Sequence, residues 1–144
     1  MLGTAARSIA RQARRGDGMT NERTSPLNGT RVLIVEDEYY LADDLSRALS
    51  DAGATVIGPV ATLREAEQRL SDGAFDCAVV DMNLRGEFAF AIAERLKARN
   101  VPFVVATGYN AQSLPHALKD APRVEKPFAP KQVIELLIQT RQNA

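Results

Sequence analysis

The chain has 144 residues, which is enough for one globular domain with a hydrophobic core. Apolar residues make up 45% and charged residues 25%, and no apolar run is long enough to cross a bilayer, so we expect a soluble, cytoplasmic protein. The single cysteine excludes an internal disulfide. Because Cys77 lies within an apolar run, we expect a buried, reduced thiol.

The first 30 residues carry five arginines against two acidic residues, whereas residues 31–144 carry 13 basic and 16 acidic groups. We predict that residues 1–30 form a flexible basic arm. Three interpretations stay open: a segment without a role upstream of a start at Met19, an anchor for an anionic partner, or a targeting peptide. No aromatic residues alternate with the arginines and no nucleic-acid-binding motif is present, so we expect neither nucleic acid nor membrane as a partner.

Apolar runs alternate with segments of helical periodicity along the rest of the chain. Tyr40, Leu45 and Leu49 have helical spacing after the first run. Thr62 and Glu65 match a capping box at the start of a second helix. In chain order, the predicted strands are 32–35, 55–60, 76–81, 101–107 and 123–125, and the predicted helices are 38–51, 62–71, 87–99 and one opened by Pro130.

The alternation of strands and helices predicts an α/β fold. Successive right-handed crossovers give a doubly wound, five-stranded parallel sheet of order 2-1-3-4-5 with helices on both faces, as in flavodoxin. We place this domain at residues 31–141 and expect no output domain after it. The pattern weakens only between Asn110 and Asp120, where Pro115 interrupts helical spacing, so we expect a short or broken helix and mobility there.

Acidic residues stand at the carboxyl ends of two predicted strands. Glu36 and Asp37 follow the first strand, and Asp81 ends the third. The order 2-1-3-4-5 makes these strands neighbours, and ligands bind at this rim of open parallel sheets. Carboxylates about 4 Å apart repel by roughly 4 kcal/mol per pair at an effective dielectric near 20. The sequence therefore predicts a cation within this cluster.

Further polar residues follow the fourth and fifth strands, at Thr107 and at Lys126-Pro127-Phe128. Together with Glu36-Asp37 and Asp81, they resemble the signature of response regulator receiver domains, the CheY-like family. The resemblance covers about residues 31–141, with every marker in order and on the expected element. Any one of these markers is weak evidence alone, because turns commonly contain Asp, Thr-Gly or Lys-Pro.

The resemblance implies that a sensor histidine kinase or a histidine phosphotransfer protein transfers a phosphoryl group to Asp81. A carboxylate is already an anion and needs no general base, so catalysis consists of positioning and charge neutralisation. Lys126 would pair with the carboxylate and then with the phosphoryl group, and the Thr107 hydroxyl would donate to a phosphoryl oxygen. The ligands implied for Mg²⁺ are the carboxylates of Asp37 and Asp81, Glu36 partly through water, and the backbone carbonyl of Asn83.

The resemblance also implies a switch in which Thr107 moves towards the phosphoryl group. Many receiver domains have an aromatic residue three positions before the strand-five lysine, but Arg123 stands there in this chain. The segment after strand four resembles a subfamily with a Phe-x-Thr-Gly motif, although Val105 replaces the Phe. We predict that Tyr109 takes over the coupling, and that a downstream protein binds the face formed by residues 109–138.

The same residues leave two other classes of function to consider, an enzyme and a binding module. A phosphatase or phosphotransferase with an aspartyl nucleophile usually needs a second acid two residues later, where this chain has Asn83, so we expect no enzyme. The remaining alternative is a receiver-shaped binding module that acts without phosphorylation or is tethered to an anionic partner by its arginine-rich arm. Phosphate incorporation from acetyl phosphate would distinguish a phosphoacceptor from this binding module.

Overall fold

The structure, a computed structural model, describes residues 25–108 and 114–144. The main sheet contains β1 (Arg31–Val35), β2 (Thr55–Val60), β3 (Cys77–Asp81), β6 (Phe103–Thr107) and β7 (Arg123–Glu125). A hairpin after β3 contributes β4 (Asn83–Leu84) and β5 (Glu87–Phe88). The helices are α1 (Tyr39–Asp51), α2 (Leu63–Asp72), α3 (Phe90–Ala98) and α4 (Pro130–Gln142), with a 3₁₀ turn at His116–Leu118.

The main sheet is parallel and has the order β2-β1-β3-β6-β7. Counting only these five strands, this is the predicted order 2-1-3-4-5, so the predicted fold is confirmed. Val32 of β1 pairs with Cys77 of β3, and Val35 pairs with Val80. The two strands therefore end side by side, which brings their following residues to the same rim of the sheet.

Both faces of the sheet are buried, because alternate residues of each strand point to opposite sides. Leu33 and Val35 contribute to a core shared with α2 and α3, which includes Leu70 and Leu96. Val32 and Ile34 contribute to a second core shared with α1 and α4. Near-continuous apolar strands are what a sheet covered on both faces requires.

The ends of α2 follow the predicted capping signals. The Glu65 backbone N–H donates to the Thr62 hydroxyl at 3.1 Å, and the Glu65 carboxylate accepts from the backbone N–H of Ala61 at 3.1 Å. Gly73 ends the helix with φ of +68°, a left-handed conformation that glycine adopts without a Cβ clash. Local sequence thus sets both ends of this helix.

The prediction for residues 82–88 was wrong. A helix from residue 87 was expected, but the structure forms the β4–β5 hairpin and α3 begins only at Phe90. Arg85 and Gly86 form a two-residue turn with φ of +54° and +91°. Phe88 is 59% exposed as a result.

Two aromatic residues in the first turn of α1 also stay outside the core. Leu45 and Leu49 are buried as their spacing predicts, but Tyr40 is 77% exposed. Its ring packs edge-on against that of Tyr39, with centroids 5.3 Å apart. The inward face of α1 therefore begins at Ala42, two residues after Tyr40.

Ordered contacts begin before Arg31, where we placed the domain boundary. Leu27 is fully buried in the core beneath α1 and α4. Arg141 of α4 donates to the Thr30 hydroxyl at 2.9 Å, which fixes the entry to β1. Residues 25–30 are thus packed against the domain, whereas the rest of the predicted arm, residues 1–24, lies outside the described residues.

Residues 110–120, for which we expected a short or broken helix, are described only in part. Pro115 precedes a 3₁₀ turn in which Leu118 is buried and His116 is exposed. Residues 109–113, including Tyr109, lie outside the described residues. None of the helices in the described ranges is long and apolar enough to cross a membrane.

Cys77 is expected to resist thiol reagents in the folded protein. It lies in the middle of the sheet with no exposed surface, and burial raises the pKa of its thiol to about 11. Little thiolate therefore forms at mildly alkaline pH, and reagents cannot reach the sulfur. Titration with a chromogenic disulfide should detect no thiol in the native protein and one per chain in denaturant. Rapid labelling of the native protein would contradict the burial of Cys77.

Candidate functional site

Three carboxylates meet at the carboxyl ends of β1 and β3. Glu36 and Asp37 follow β1, Asp81 is the last residue of β3, and each offers an oxygen within 4.8 Å of the others. Glu36 is 5% exposed and Asp81 is 2% exposed. The predicted convergence of these acids is therefore present in the fold.

Lys126 balances part of this negative charge. Its Nζ donates to Asp81 Oδ2 at 2.8 Å and to Glu36 Oε2 at 3.4 Å. The backbone N–H of Lys126 donates to the carbonyl of Thr107 at 2.8 Å, which joins the end of β7 to the end of β6. The Lys126-Pro127 peptide bond is cis. The Lys126 side chain thus reaches from the end of the edge strand β7 to the acidic cluster.

Backbone N–H groups fix the orientation of the two buried acids. Asp81 Oδ1 accepts from the backbone N–H of Asn83 at 3.0 Å, and Glu36 Oε2 accepts from that of Glu38 at 3.0 Å. The Asn83 side-chain oxygen in turn accepts from the N–H of Gly86 at 2.7 Å. Asn83 therefore connects the β4–β5 hairpin to the Asp81 carboxylate.

The surroundings raise the pKa of Glu36 and of Lys126. Burial raises the pKa of Glu36 to about 8, assisted by the hydrogen bond to Asp81 and by its negative charge. Burial alone would lower the pKa of Lys126, but its hydrogen bond to Asp81 and the charges of Asp81 and Glu36 outweigh this and raise it. Glu36 therefore resists ionisation chiefly because it is buried, whereas Lys126 stays charged because of its acidic partners.

Thr107 ends β6 beside the cluster. It is 4% exposed, and its hydroxyl oxygen has no hydrogen-bond partner among the described residues. A cavity of about 220 Å³ opens here, and Thr107 lines it together with Asp81 and Lys126. A buried hydroxyl facing such a cavity is suited to donate to a small polar group there.

Two features of the site were not found from the sequence. Arg85 lies with its Nε 3.8 Å from Asp37 Oδ2. Phe88 and Phe90 line the cavity that contains Asp81. Both depend on the hairpin, which reverses the chain over the site. Tyr109, the predicted switch residue, lies outside the described residues.

The residues present fit a small divalent cation. Glu36, Asp37 and Asp81 supply only carboxylate oxygens, which are the donors that Mg²⁺ prefers. Three ionised carboxylates would carry more negative charge than the single Lys126 ammonium compensates. The backbone of Asn83 lies next to Asp81, where we expected its carbonyl to serve as a ligand.

Comparison with known proteins supports the same interpretation. The chain matches the model of the response regulator receiver domain over residues 32–138. It is 36% identical to the transcriptional regulatory protein TcrA of Mycobacterium tuberculosis over 102 residues, which covers 69% of this chain and 39% of TcrA. Our narrower expectation of a Phe-x-Thr-Gly subfamily stays a prediction.

Solved structures give the same result. The solution structure of SdrG from Sphingomonas melonis Fr1 is 38% identical, with a TM-score of 0.66, and the match covers 76% of this chain and 97% of that one. The crystal structure of the response regulator PhyR from Brucella abortus is 25% identical, with a TM-score of 0.69, over 85% of this chain and 51% of that one. The chain thus spans 39% of TcrA and about half of PhyR, but nearly all of SdrG. The chain belongs to the response regulator receiver domain family of two-component systems.

Proposed function

We propose that this receiver domain accepts a phosphoryl group on Asp81 from a sensor histidine kinase or a histidine phosphotransfer protein, and signals through contact with a downstream protein. The observation that carries the proposal is the position of Asp81. Its carboxylate is almost fully buried, lies 2.8 Å from the Lys126 ammonium and faces a cavity lined by Thr107.

The chain's own residues suit this transfer. Asp81 is held by the N–H of Asn83 on one oxygen and by Lys126 on the other, so the nucleophile is oriented before the donor arrives. The Lys126 ammonium, which now pairs with the Asp81 carboxylate, is positioned to pair with the phosphoryl oxygens after transfer. Bound Mg²⁺, held by Glu36, Asp37 and Asp81, would neutralise phosphoryl oxygens in a loose, in-line transition state.

Phosphate incorporation from acetyl phosphate tests this proposal. The chain has no tryptophan, so intact-protein mass spectrometry is the suitable readout. The wild-type protein should gain one phosphoryl group with Mg²⁺ and none with a chelator, and Asp81→Asn should gain none. Asp44→Asn changes an exposed acid outside the cluster and should be labelled as the wild type is. Equal labelling of Asp81→Asn would refute the proposal.

The chain is proposed to be a phosphoacceptor and not a turnover enzyme. An aspartyl phosphatase usually needs an acid two residues after its nucleophile, and this position holds Asn83. The Asn83 side chain accepts from Gly86 N–H and so stabilises the hairpin. Steady hydrolysis of a phosphomonoester by the wild-type protein would contradict this part of the proposal.

Thr107→Ala is expected to uncouple phosphorylation from the conformational response. The hydroxyl has no partner among the described residues, so a phosphoryl oxygen would be its acceptor, and moving towards it would shift the segment after β6. With Mg²⁺ and beryllofluoride, the wild-type protein should show NMR shift changes across residues 109–122. Thr107→Ala should be phosphorylated by acetyl phosphate but show these changes weakly. Unchanged wild-type shifts in that segment would overturn the switch.

The downstream partner is proposed to bind the face formed by residues 109–138. Its described part contains the 3₁₀ turn and most of α4. Residues after Thr107 would transmit the switch directly to this face. A pull-down with and without beryllofluoride tests it, and a partner captured equally in both conditions would contradict a phosphorylation-dependent contact.

Arg85→Ala is expected to raise the affinity for Mg²⁺ by about two- to fivefold, which is the range for an exposed ion pair. The Arg85 guanidinium is 3.8 Å from Asp37 and competes with a cation for that carboxylate. Calorimetric titration with Mg²⁺ measures the change. Arg47→Ala is the matched control, because Arg47 pairs with Asp43 at 3.0 Å on α1, away from the cluster. A lower Mg²⁺ affinity in Arg85→Ala would contradict the competition.

A further inference from the structure

Two phenylalanines form a stacked pair at the cavity that contains Asp81. The ring centroids of Phe88 and Phe90 are 5.1 Å apart and their planes differ by 4°. Both rings line the cavity together with Asp81, Thr107 and Lys126. Phe88 is nevertheless 59% exposed. An exposed aromatic ring beside a convergent set of polar groups is typical of a ligand-binding rim.

The hairpin holds Phe88 in place. Phe88 pairs with Asn83 across the two antiparallel strands, and the backbone N–H of Ala89 donates to the carbonyl of Met82 at 2.9 Å. Asn83 is itself hydrogen-bonded to the Asp81 carboxylate. The backbone carrying the ring is therefore fixed relative to the phosphoacceptor.

Phe90 supports Phe88 from the protein side. Phe90 is partly buried and packs against the core beneath α2 and α3. The Phe90 ring stacks on one face of the Phe88 ring and leaves part of the Phe88 surface exposed to solvent. A planar group that enters the cavity can therefore stack on this ring without displacing a core residue.

A group brought to Asp81 by a donor enters a cavity that Phe88 and Phe90 line. The cavity, about 220 Å³, is smaller than the roughly 300–1,000 Å³ of sites for drug-sized ligands. Its size suits a phosphoryl group and one small ring. Its polar groups, Lys126 and Thr107, match the phosphoryl oxygens, whereas the phenylalanines match an aromatic leaving group.

We propose that Phe88 is a specificity-determining residue that stacks on the imidazole ring of the phosphodonor and so favours donors in which phosphorus is bonded to an aromatic ring nitrogen. The inference rests on the proposed phosphorylation of Asp81. In the transfer, the P–N bond breaks and its electron pair goes to the ring nitrogen, while a P–O bond forms to the Asp81 carboxylate. A ring protonated on its other nitrogen leaves as neutral imidazole.

Two small donors isolate the contribution of the ring. Monophosphoimidazole and phosphoramidate both transfer phosphorus from nitrogen, but only the first carries an aromatic ring. We expect Phe88→Leu to lower the rate of phosphorylation by monophosphoimidazole about three- to tenfold, the range for one lost aromatic pair, and to change the phosphoramidate rate less than about twofold. Rates are measured by intact-protein mass spectrometry with Mg²⁺ present.

Matched variants separate stacking from general effects. Phe88→Tyr keeps the ring and should retain the preference for monophosphoimidazole. Tyr39→Leu removes another exposed aromatic residue that does not line the cavity and should behave as the wild type does. Because Phe88 is largely exposed, the leucine variant should fold, which circular dichroism verifies.

The outcomes distinguish this inference from the proposed function. If Phe88→Leu lowers the phosphorylation rate equally with both donors, or with neither, the stacking role is overturned. Phosphorylation of Asp81 is then unaffected as a proposal. A wild-type protein labelled by neither donor, nor by acetyl phosphate, overturns both proposals. Selective loss with monophosphoimidazole, retained preference in Phe88→Tyr and an unaffected Tyr39→Leu support the inference.

Discussion

Replacing Lys126 with methionine is expected to lower the free energy of unfolding by about 2–3 kcal/mol when no divalent cation is present. The methionine keeps a side chain of similar length and removes the charge that lies 2.8 Å from Asp81 and 3.4 Å from Glu36. Breaking a buried ion pair costs about 3–5 kcal/mol. The Lys126 side chain is 25% exposed, so solvent screens part of the loss.

The same variant should respond more strongly to Mg²⁺ than the wild type does, because the cation replaces the missing positive charge. Urea unfolding followed by circular dichroism, with and without millimolar Mg²⁺, measures both effects. Lys119→Met removes an exposed charge outside the cluster and should be neutral within about 0.5 kcal/mol. A Lys126→Met protein as stable as the wild type without Mg²⁺ would show that the ammonium does not balance the acids.

The second large effect is expected for Asp37→Ala, which should weaken Mg²⁺ binding by at least about 100-fold. Changes to groups that only support a metal ligand already cost about 10- to 100-fold. Asp37 is one of the three carboxylates that converge, and its side chain is 19% exposed, so it can reach both solvent and the cluster. Isothermal titration calorimetry with Mg²⁺ measures the affinity, and phosphorylation by acetyl phosphate should fall with it.

Glu38→Ala is the matched control for this loss. Glu38 lies two residues after Glu36, is exposed and is not part of the carboxylate cluster. Its replacement by alanine removes one negative charge, as Asp37→Ala does. Its backbone N–H, which bonds Glu36, is unaffected by the substitution. Mg²⁺ affinity in Glu38→Ala should stay within about threefold of the wild type, in keeping with a screened surface charge. Equal losses in both variants would mean that only overall charge matters.

Much of the fold could be predicted because the signals that define it are long and repeated. Apolar runs such as 32–35 and 77–80 can be buried on both faces only in a sheet covered by helices. The handedness of crossovers then limits the strand order. This strand order alone predicts that Glu36, Asp37 and Asp81 lie together, because the strands that they follow are neighbours.

The rest depends on short or non-local features that the sequence pattern does not carry. The strands of the β4–β5 hairpin have two residues each, too few to show periodicity, and Arg85 is not a residue that usually marks a turn with positive φ. The exposed position of Phe88 follows from that hairpin. Leu27 was missed because one apolar residue in a polar segment gives no pattern.

Mapping the modified residue shows whether Asp81 itself forms the acyl phosphate. The protein is treated with acetyl phosphate and Mg²⁺, and borohydride then reduces the phosphorylated aspartate to homoserine, which peptide mass spectrometry locates. We predict homoserine at position 81, dependent on Mg²⁺ and absent after chelation. Homoserine at another acidic residue, or unmodified Asp81 in protein that has incorporated phosphate, would contradict Asp81 as the phosphoacceptor.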